Sequence, residues 1–159
     1  MLTTERTKSL KHAVRAFPGT RFHFRLTGAE TGGAISIIDV TMIPGSEPAP
    51  HVHTREDETA IIRHGAIRYF IGNEIVDAKV GDTVFLPRNV PHYFKVLSPS
   101  AAITLIATPG GLEHFFEAIT IPIEGDDVPP VTNAPLTAEK IARIKQNAES
   151  FGLKLVQAI

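Results

Sequence analysis

The feature that most constrains this chain is its punctuation. Twelve glycines and twelve prolines are spread through 159 residues. The stretches between them are short and rich in β-branched and aromatic side chains. Such spacing leaves little room for long helices and suits many short strands joined by tight turns. The sequence predicts strands over 21–26, 34–43, 51–53, 58–63, 66–71, 74–80, 83–86, 92–97 and 102–107. Gly72-Asn73 is a hairpin signal, and the segment from Thr27 to Gly33, with three glycines, is expected to turn. Pro109-Gly110-Gly111 breaks the strand pattern, after which 112–119 reads as a short helix and 120–135 as loop. A second helix is expected over 137–151. Thr137 is its N-cap, Leu136 and Ile141 sit where a hydrophobic staple would, Ile141, Ile144, Ala148 and Phe151 form its apolar stripe, and Gly152 ends it.

Length and composition bound the function. The chain fits one domain, with an N-terminal arm at 1–20, a β-barrel unit at 21–119, and a loop and helix at 120–159 packed on it. Sixteen basic and seventeen acidic side chains leave the net charge at −1, and no basic patch stands out, so nucleic acid is not expected as a partner. No cysteine is present, which removes disulfides, thiolate ligands and a cysteine nucleophile. No apolar run approaches the length of a membrane span, and the charged N-terminus lacks the apolar core of a signal peptide. A cytoplasmic protein is the expectation.

The chemistry concentrates between Gly45 and Val96. One stretch reads G-S-E-P-A-P-H-V-H-T-R-E-D-E-T-A-I-I-R-H-G and a second reads G-D-T-V-F-L-P-R-N-V-P-H-Y-F-K-V. Alternate side chains of a strand share a face, which puts His51 and His53 on one side, about 6–7 Å apart along the backbone. Glu58 opens the next strand across a charged turn, and His92 opens a later strand that a barrel can bring alongside. Three imidazoles and a carboxylate make a ligand set for one divalent transition ion, Fe, Mn, Ni, Co, Cu or Zn, with positions left open for a reacting molecule. Glu56 and Asp57 are expected to be solvated in the turn, with Glu56 the rival ligand if the register differs. His12, His23, His64 and His114 have no expected role.

The two spacings resemble the paired motifs of the cupin superfamily. The first motif matches at every signature position. The second departs at Asn89, where a turn glycine is usual, and at Val96, where an asparagine is usual. Asparagine tolerates a left-handed backbone, which makes the first change mild. The resemblance implies an all-β cupin jelly-roll β-barrel, followed by the short helix and the C-terminal helix, with His51, His53, Glu58 and His92 as metal ligands. Further runs, among them T-P-G-G-L-E-H-F-F-E-A and P-L-T-A-E-K-I-A-R-I, extend the likeness to single-domain cupins of the quercetin 2,3-dioxygenase-like kind. That likeness implies a dioxygenase acting on a chelating hydroxylated aromatic or enolic substrate with O2, in which Glu58 would also take the substrate's hydroxyl proton. It also implies a homodimer.

Alternation from the ligands places Ala60 and Ile62 on the face of Glu58, Phe94 and Val96 on that of His92, and Ile67, Tyr69 and Ile71 inward. Ile62, Tyr69 and Phe94 are the candidate substrate-pocket residues. Two alternatives remain: a metal-dependent isomerase or decarboxylase, which keeps the metal and changes the chemistry, and a non-catalytic small-molecule-binding cupin. Arg63 and Arg68 are expected to point outward, which ranks oxalate chemistry lower. Phe115 and Phe116 are expected to anchor their helix rather than cover the barrel.

Overall fold

The computed structural model describes residues 13–132 and 137–157; His12 and Leu136 lie outside them. In chain order the elements are β1 (Val14–Phe17), β2 (Thr20–Leu26), α1 (Gly28–Thr31), β3 (Ser36–Met42), β4 (His51–His53), β5 (Asp57–His64), β6 (Ala66–Ile71), β7 (Glu74–Lys79), β8 (Thr83–Leu86), β9 (His92–Val96), β10 (Ala101–Thr108), α2 (Glu113–Ile119), β11 (Ile121–Pro122), α3 (Ala138–Ser150) and β12 (Leu153–Leu155). The strands form two antiparallel sheets, ordered β11-β1-β2-β3-β10-β5-β8 and β12-β4-β9-β6-β7. This is an all-β jelly roll. No helix among the described residues is long and apolar enough to cross a membrane.

Alternation builds the core, because each strand turns every second side chain inward. In β3, Ser36, Ile38, Val40 and Met42 are buried, and in β10 Ala101, Ile103, Leu105 and Ala107 are. From the five-stranded sheet come Ile67, Tyr69, Ala78, Val96 and Leu153, joining one apolar cluster with the residues of the other sheet. The outer faces carry charge instead. Arg68, for example, pairs with Asp77 across the β6–β7 hairpin at 2.6 and 2.8 Å.

Gly65 carries the chain from β5 into β6, that is, from one sheet to the other. Its φ is +74°, and a Cβ there would lie 2.3 Å from the Ser100 carbonyl oxygen. Gly65→Ala is therefore expected to cost at least about 2 kcal/mol from left-handed strain and overpacking together. A urea midpoint within error of the wild type would contradict this.

Several elements differ from the sequence expectation. The turn after β2 contains the helix α1, held because the Glu30 carboxylate accepts from both the backbone N–H and the hydroxyl of Thr27 at 2.8 Å. Of the segment expected as an arm, residues 14–17 form β1, paired with β2 and β11. Arg15 ties that edge to the end of α2 through Thr120. A further strand, β12, follows the last helix and was not expected at all. The stripe expected on α3 is only partly used: Ala148 is buried but Ile141 is 40% exposed, so α3 is anchored by its C-terminal end. Thr137 caps it as expected, accepting from the Lys140 N–H at 3.3 Å. Phe115 is buried in the core and Phe116 stacks on Phe22 with ring centroids 4.6 Å apart, so both anchor α2.

Candidate metal centre

The site lies at the end of the sheets where β4, β5 and β9 begin. His51 pairs directly with His92 across β4 and β9. Glu58 sits in a cross-strand row with Ala107 and Leu86, on the inner face of β5. Each strand therefore presents its ligand candidate from its first two residues or, for His53, one pleat further along. His51, His53, Glu58 and His92 are all buried, and one ligand atom from each lies within 4.8 Å of the others. This brings together the four candidates that the spacing singled out.

The orientation of the imidazoles is the informative detail. His51 Nδ1–H donates to the Ala49 carbonyl oxygen at 2.9 Å, and His92 Nδ1–H donates to that of Val90 at 3.0 Å. A carbonyl can only accept, so each Nδ1 carries the proton and each neutral ring is left with a lone pair on Nε2. His53 Nδ1 is held by the Glu56 carboxylate at 3.3 Å. The Nε2 atoms of His53 and His92 lie 3.3 and 3.2 Å from Glu58 Oε2. His92 Nε2 is buried and makes no hydrogen bond of good geometry, although Glu58 Oε2 lies 3.2 Å away. Donor atoms at such separations fit a cation bound at about 2.0–2.2 Å from each, and outward Nδ1 bonds of this kind fix the tautomer that binds one. These four residues can hold a metal ion.

Electrostatics agree with that geometry. Burial, reinforced by the neighbouring His92 and His53, lowers the pKa of His51 to about 4, so it is neutral near pH 7. Burial also disfavours charge on His53, but the carboxylates of Glu58 and Glu56 on its two sides outweigh this and raise its pKa. Burial alone would raise Glu58. The positive potential of the histidines, His53 foremost, overrides it and holds the carboxyl at about 2. The charge of Glu58 and Glu56 thus favours a proton on His53, while burial keeps His51 neutral.

Glu56 corrects the sequence expectation. It is 5% exposed rather than solvated, because the turn after β4 is short enough to fold its side chain back onto His53. It is not one of the converging donors; it orients one. A carboxylate three residues beyond a ligand histidine was the available signal. Asp57 is also engaged, accepting from Arg88 through the backbone N–H and the guanidinium at 2.8, 3.2 and 2.7 Å. The Asn89 N–H donates to the His53 carbonyl at 2.7 Å, and Asn89 takes the left-handed φ of +63° that its place in the second motif requires. The turn before His92 is thus fastened to the strands bearing the other ligands.

The candidate pocket residues belong to the apolar interior or pack against it. Ile62 is 1% exposed and Tyr69 1%, and the Tyr69 and Phe94 rings meet at 5.7 Å. Burial, together with the charge of Glu58, pushes the Tyr69 phenol up, so it stays protonated. A groove of about 310 Å³ opens beside His92 between Pro50, Pro91, Tyr93, Phe70 and Ile75; Ile62, Tyr69 and Phe94 do not line it. His64 and His114 are exposed, His114 lying 3.2 Å from Glu117, and neither joins the cluster.

The fold and the site together define a jelly-roll protein with a buried histidine–carboxylate cluster at one end of its sheets. Residues 38–108 match the family model of the cupin domain. The likeness to the cupin superfamily rests on that stretch, 71 of the chain's 159 residues. The chain is 31% identical over 103 residues to quercetin 2,3-dioxygenase of Aspergillus japonicus, covering 60% of this chain and 29% of that protein. It is 25% identical over 145 residues to quercetin 2,3-dioxygenase of Bacillus subtilis, covering 90% of this chain and 42% of that one. The chain spans less than half the length of either relative. Among solved structures, KdgF from Halomonas sp. superposes with a TM-score of 0.55 at 19% identity, over 62% of this chain and 87% of that one. A variant of oxalate decarboxylase from Bacillus subtilis gives 0.55 at 24%, over 62% and 28%. These two likenesses show the fold alone.

Proposed function

We propose that this chain is a metal-dependent oxygenase of the dioxygenase type, acting with O2 on a chelating hydroxylated aromatic or enolic compound. The observation that carries the reading is the converging set His51, His53, Glu58 and His92, buried at the end of an apolar interior. Its likeness to two quercetin 2,3-dioxygenases supports the same reading.

An ion held by these residues would supply Lewis acidity to a chelating hydroxyl and, if redox-active, a route for electrons to O2. The chain's own residues do the rest. The three histidines offer Nε2 because their Nδ1 atoms are engaged outward. Glu58 is ionised at neutral pH, which is the form that accepts a proton. A carboxyl this acidic is a weak base on its own, so taking the substrate's hydroxyl proton would depend on an ion lowering that hydroxyl's pKa on coordination. Ile62, Phe94 and the surrounding core exclude water from the reacting end of the molecule. Among the described residues no arginine is buried, and the Arg88 guanidinium near Glu56 is already engaged by the Asp57 carboxylate.

The test is O2 consumption by protein loaded separately with iron, manganese, nickel and cobalt, offered a panel of flavonols and catechols. Uptake above the metal-free control with at least one pairing is expected. A fully loaded protein that consumes no O2 with any of them overturns the proposal, and turnover without O2 uptake would move the chain to the isomerase or decarboxylase class.

A further inference from the structure

We propose that Tyr69 is the ligand-recognition residue of this site, its hydroxyl donating a hydrogen bond to a carbonyl or enolate oxygen of a bound chelating hydroxy-ketone. The inference rests on the metal-site reading above and adds to it the class of molecule bound.

Tyr69 lies in the middle of β6, on the face turned toward the ligands. Its cross-strand partners are Phe94 and Val76, and two residues further along the same strand Ile71 pairs with His92. The ring is fully accommodated by packing, 1% exposed and against Phe94. A phenylalanine would fill that space as well. The hydroxyl is what packing does not explain: Tyr69 Oη is buried and has no hydrogen-bond partner among the described residues. A buried O–H left without a partner weakens a fold, and such a group in a native structure calls for a reason. The flanking strands offer it none, since both cross-strand neighbours are hydrocarbon.

The surrounding chemistry shows what would complete it. The register places Tyr69 one pleat from the Ile71–His92 pair on the same face of the sheet, and the Glu58 charge contributes to the upward push on its phenol. His51 and His92 spend their N–H groups outward on carbonyls, and His53 spends its own on Glu56. What these residues turn inward are lone pairs and a carboxylate. A molecule chelating through two oxygens therefore meets acceptors on the ligand side and one uncommitted donor, Tyr69. A hydroxy-ketone fits this pattern. Its hydroxyl proton goes to Glu58, and its second oxygen remains an acceptor for the phenol. A catechol offers a hydroxyl oxygen there, a weaker acceptor than a carbonyl or enolate oxygen, and fits less well.

The experiment compares the wild type with Tyr69→Phe, both loaded with cobalt(II) and titrated at equilibrium with tropolone, a hydroxy-ketone chelator, under argon. Cobalt content should be equal in the two proteins, and the melting temperature of Tyr69→Phe equal or higher, because the change removes a hydroxyl and no packing. The dissociation constant for tropolone should rise about 5- to 10-fold, as expected for one lost hydrogen bond. Unchanged tropolone affinity overturns the proposal. So does a lowered melting temperature together with lost cobalt, which would make the hydroxyl structural. Binding is read without turnover, so the two readings fail separately: no O2 uptake with a preserved Tyr69→Phe effect sinks the dioxygenase assignment alone. Flavonol turnover with unchanged tropolone affinity sinks this proposal alone. A wild-type chain that takes up no cobalt overturns both.

Discussion

Replacing His92 by alanine is expected to abolish stoichiometric metal in protein purified without added ions, and His51→Ala to do the same. Each change removes one of four converging donors. The loss in affinity should exceed about a hundredfold, because disturbing even the outer partner of a ligand typically costs about 10- to 100-fold. That lesser range is the expectation for Glu56→Ala, which frees His53 without removing a donor. Elemental analysis of the variants side by side provides the check, and full occupancy in His92→Ala would make the four-residue site wrong. Acid should act in the same direction. His53 carries a raised pKa in the ion-free protein, and a ring must be neutral to bind a metal. Below that raised value, loading must displace a proton from His53, so apparent affinity should fall about tenfold per pH unit. His51, held near 4, adds nothing until the solution is far more acidic.

A second large effect is expected at a residue with no part in the chemistry. Glu113, the first residue of α2, is 0% exposed. Its Oε1 accepts from the Gly28 N–H at 2.6 Å, while Oε2 accepts from the Ser36 hydroxyl and from the Gly111 N–H at 3.1 Å. One carboxyl therefore gathers the start of α1, the start of β3 and the loop leading into α2. Glu113→Ala would leave these buried donors facing a void. Gly111 keeps a bond to the Ser36 hydroxyl at 2.8 Å, so not every donor is orphaned, and the expected loss is roughly 3 to 5 kcal/mol. For a chain of this length that lowers the melting temperature by about 10 °C or more. The metal site should weaken as well, since Ser36, Ala107 and Glu58 lie in one cross-strand row. Equilibrium unfolding within about 1 kcal/mol of the wild type would refute the clip.

What could be read from the sequence follows physical range. The inner strands were legible because alternation is a local property: Ile38, Val40 and Met42 announce their shared face within one short segment. The ligand set was legible for the same reason, His51-Val52-His53 fixing two rings on one side whatever the partner strand. The rest depends on what the chain meets at a distance. Leu153, Lys154 and Leu155 carry no strand signature of their own; β4 makes them a strand by offering its edge. Val14 to Phe17 gains its regularity from β2 in the same way. Glu56 looked like a surface acid because nothing nearby shows that the turn returns it to His53. Glu113 stands at a helix start, and nothing local shows its role, because two of its three donors, Gly28 and Ser36, come from segments far along the chain. The Tyr69 phenol could be placed inward by alternation, but only the packed structure leaves its hydroxyl without a partner.

The strand that bears His51 and His53 depends on late arrivals. On one side β4 is joined to β9 at a single residue pair. On the other it is held by β12, and the contact is locked by the Thr54 hydroxyl donating to the Gly152 carbonyl, 98 residues away in sequence. During synthesis both ligand motifs leave the ribosome well before the segment that fixes their spacing, and pairings of such long range form slowly. An ion captured in that interval would be held by histidines on a backbone not yet set, where the ordinary affinity order among transition metals would decide the outcome. Once β12 docks, geometry decides instead. The metal found in the protein should therefore depend on when the ion is offered, before folding is complete or after.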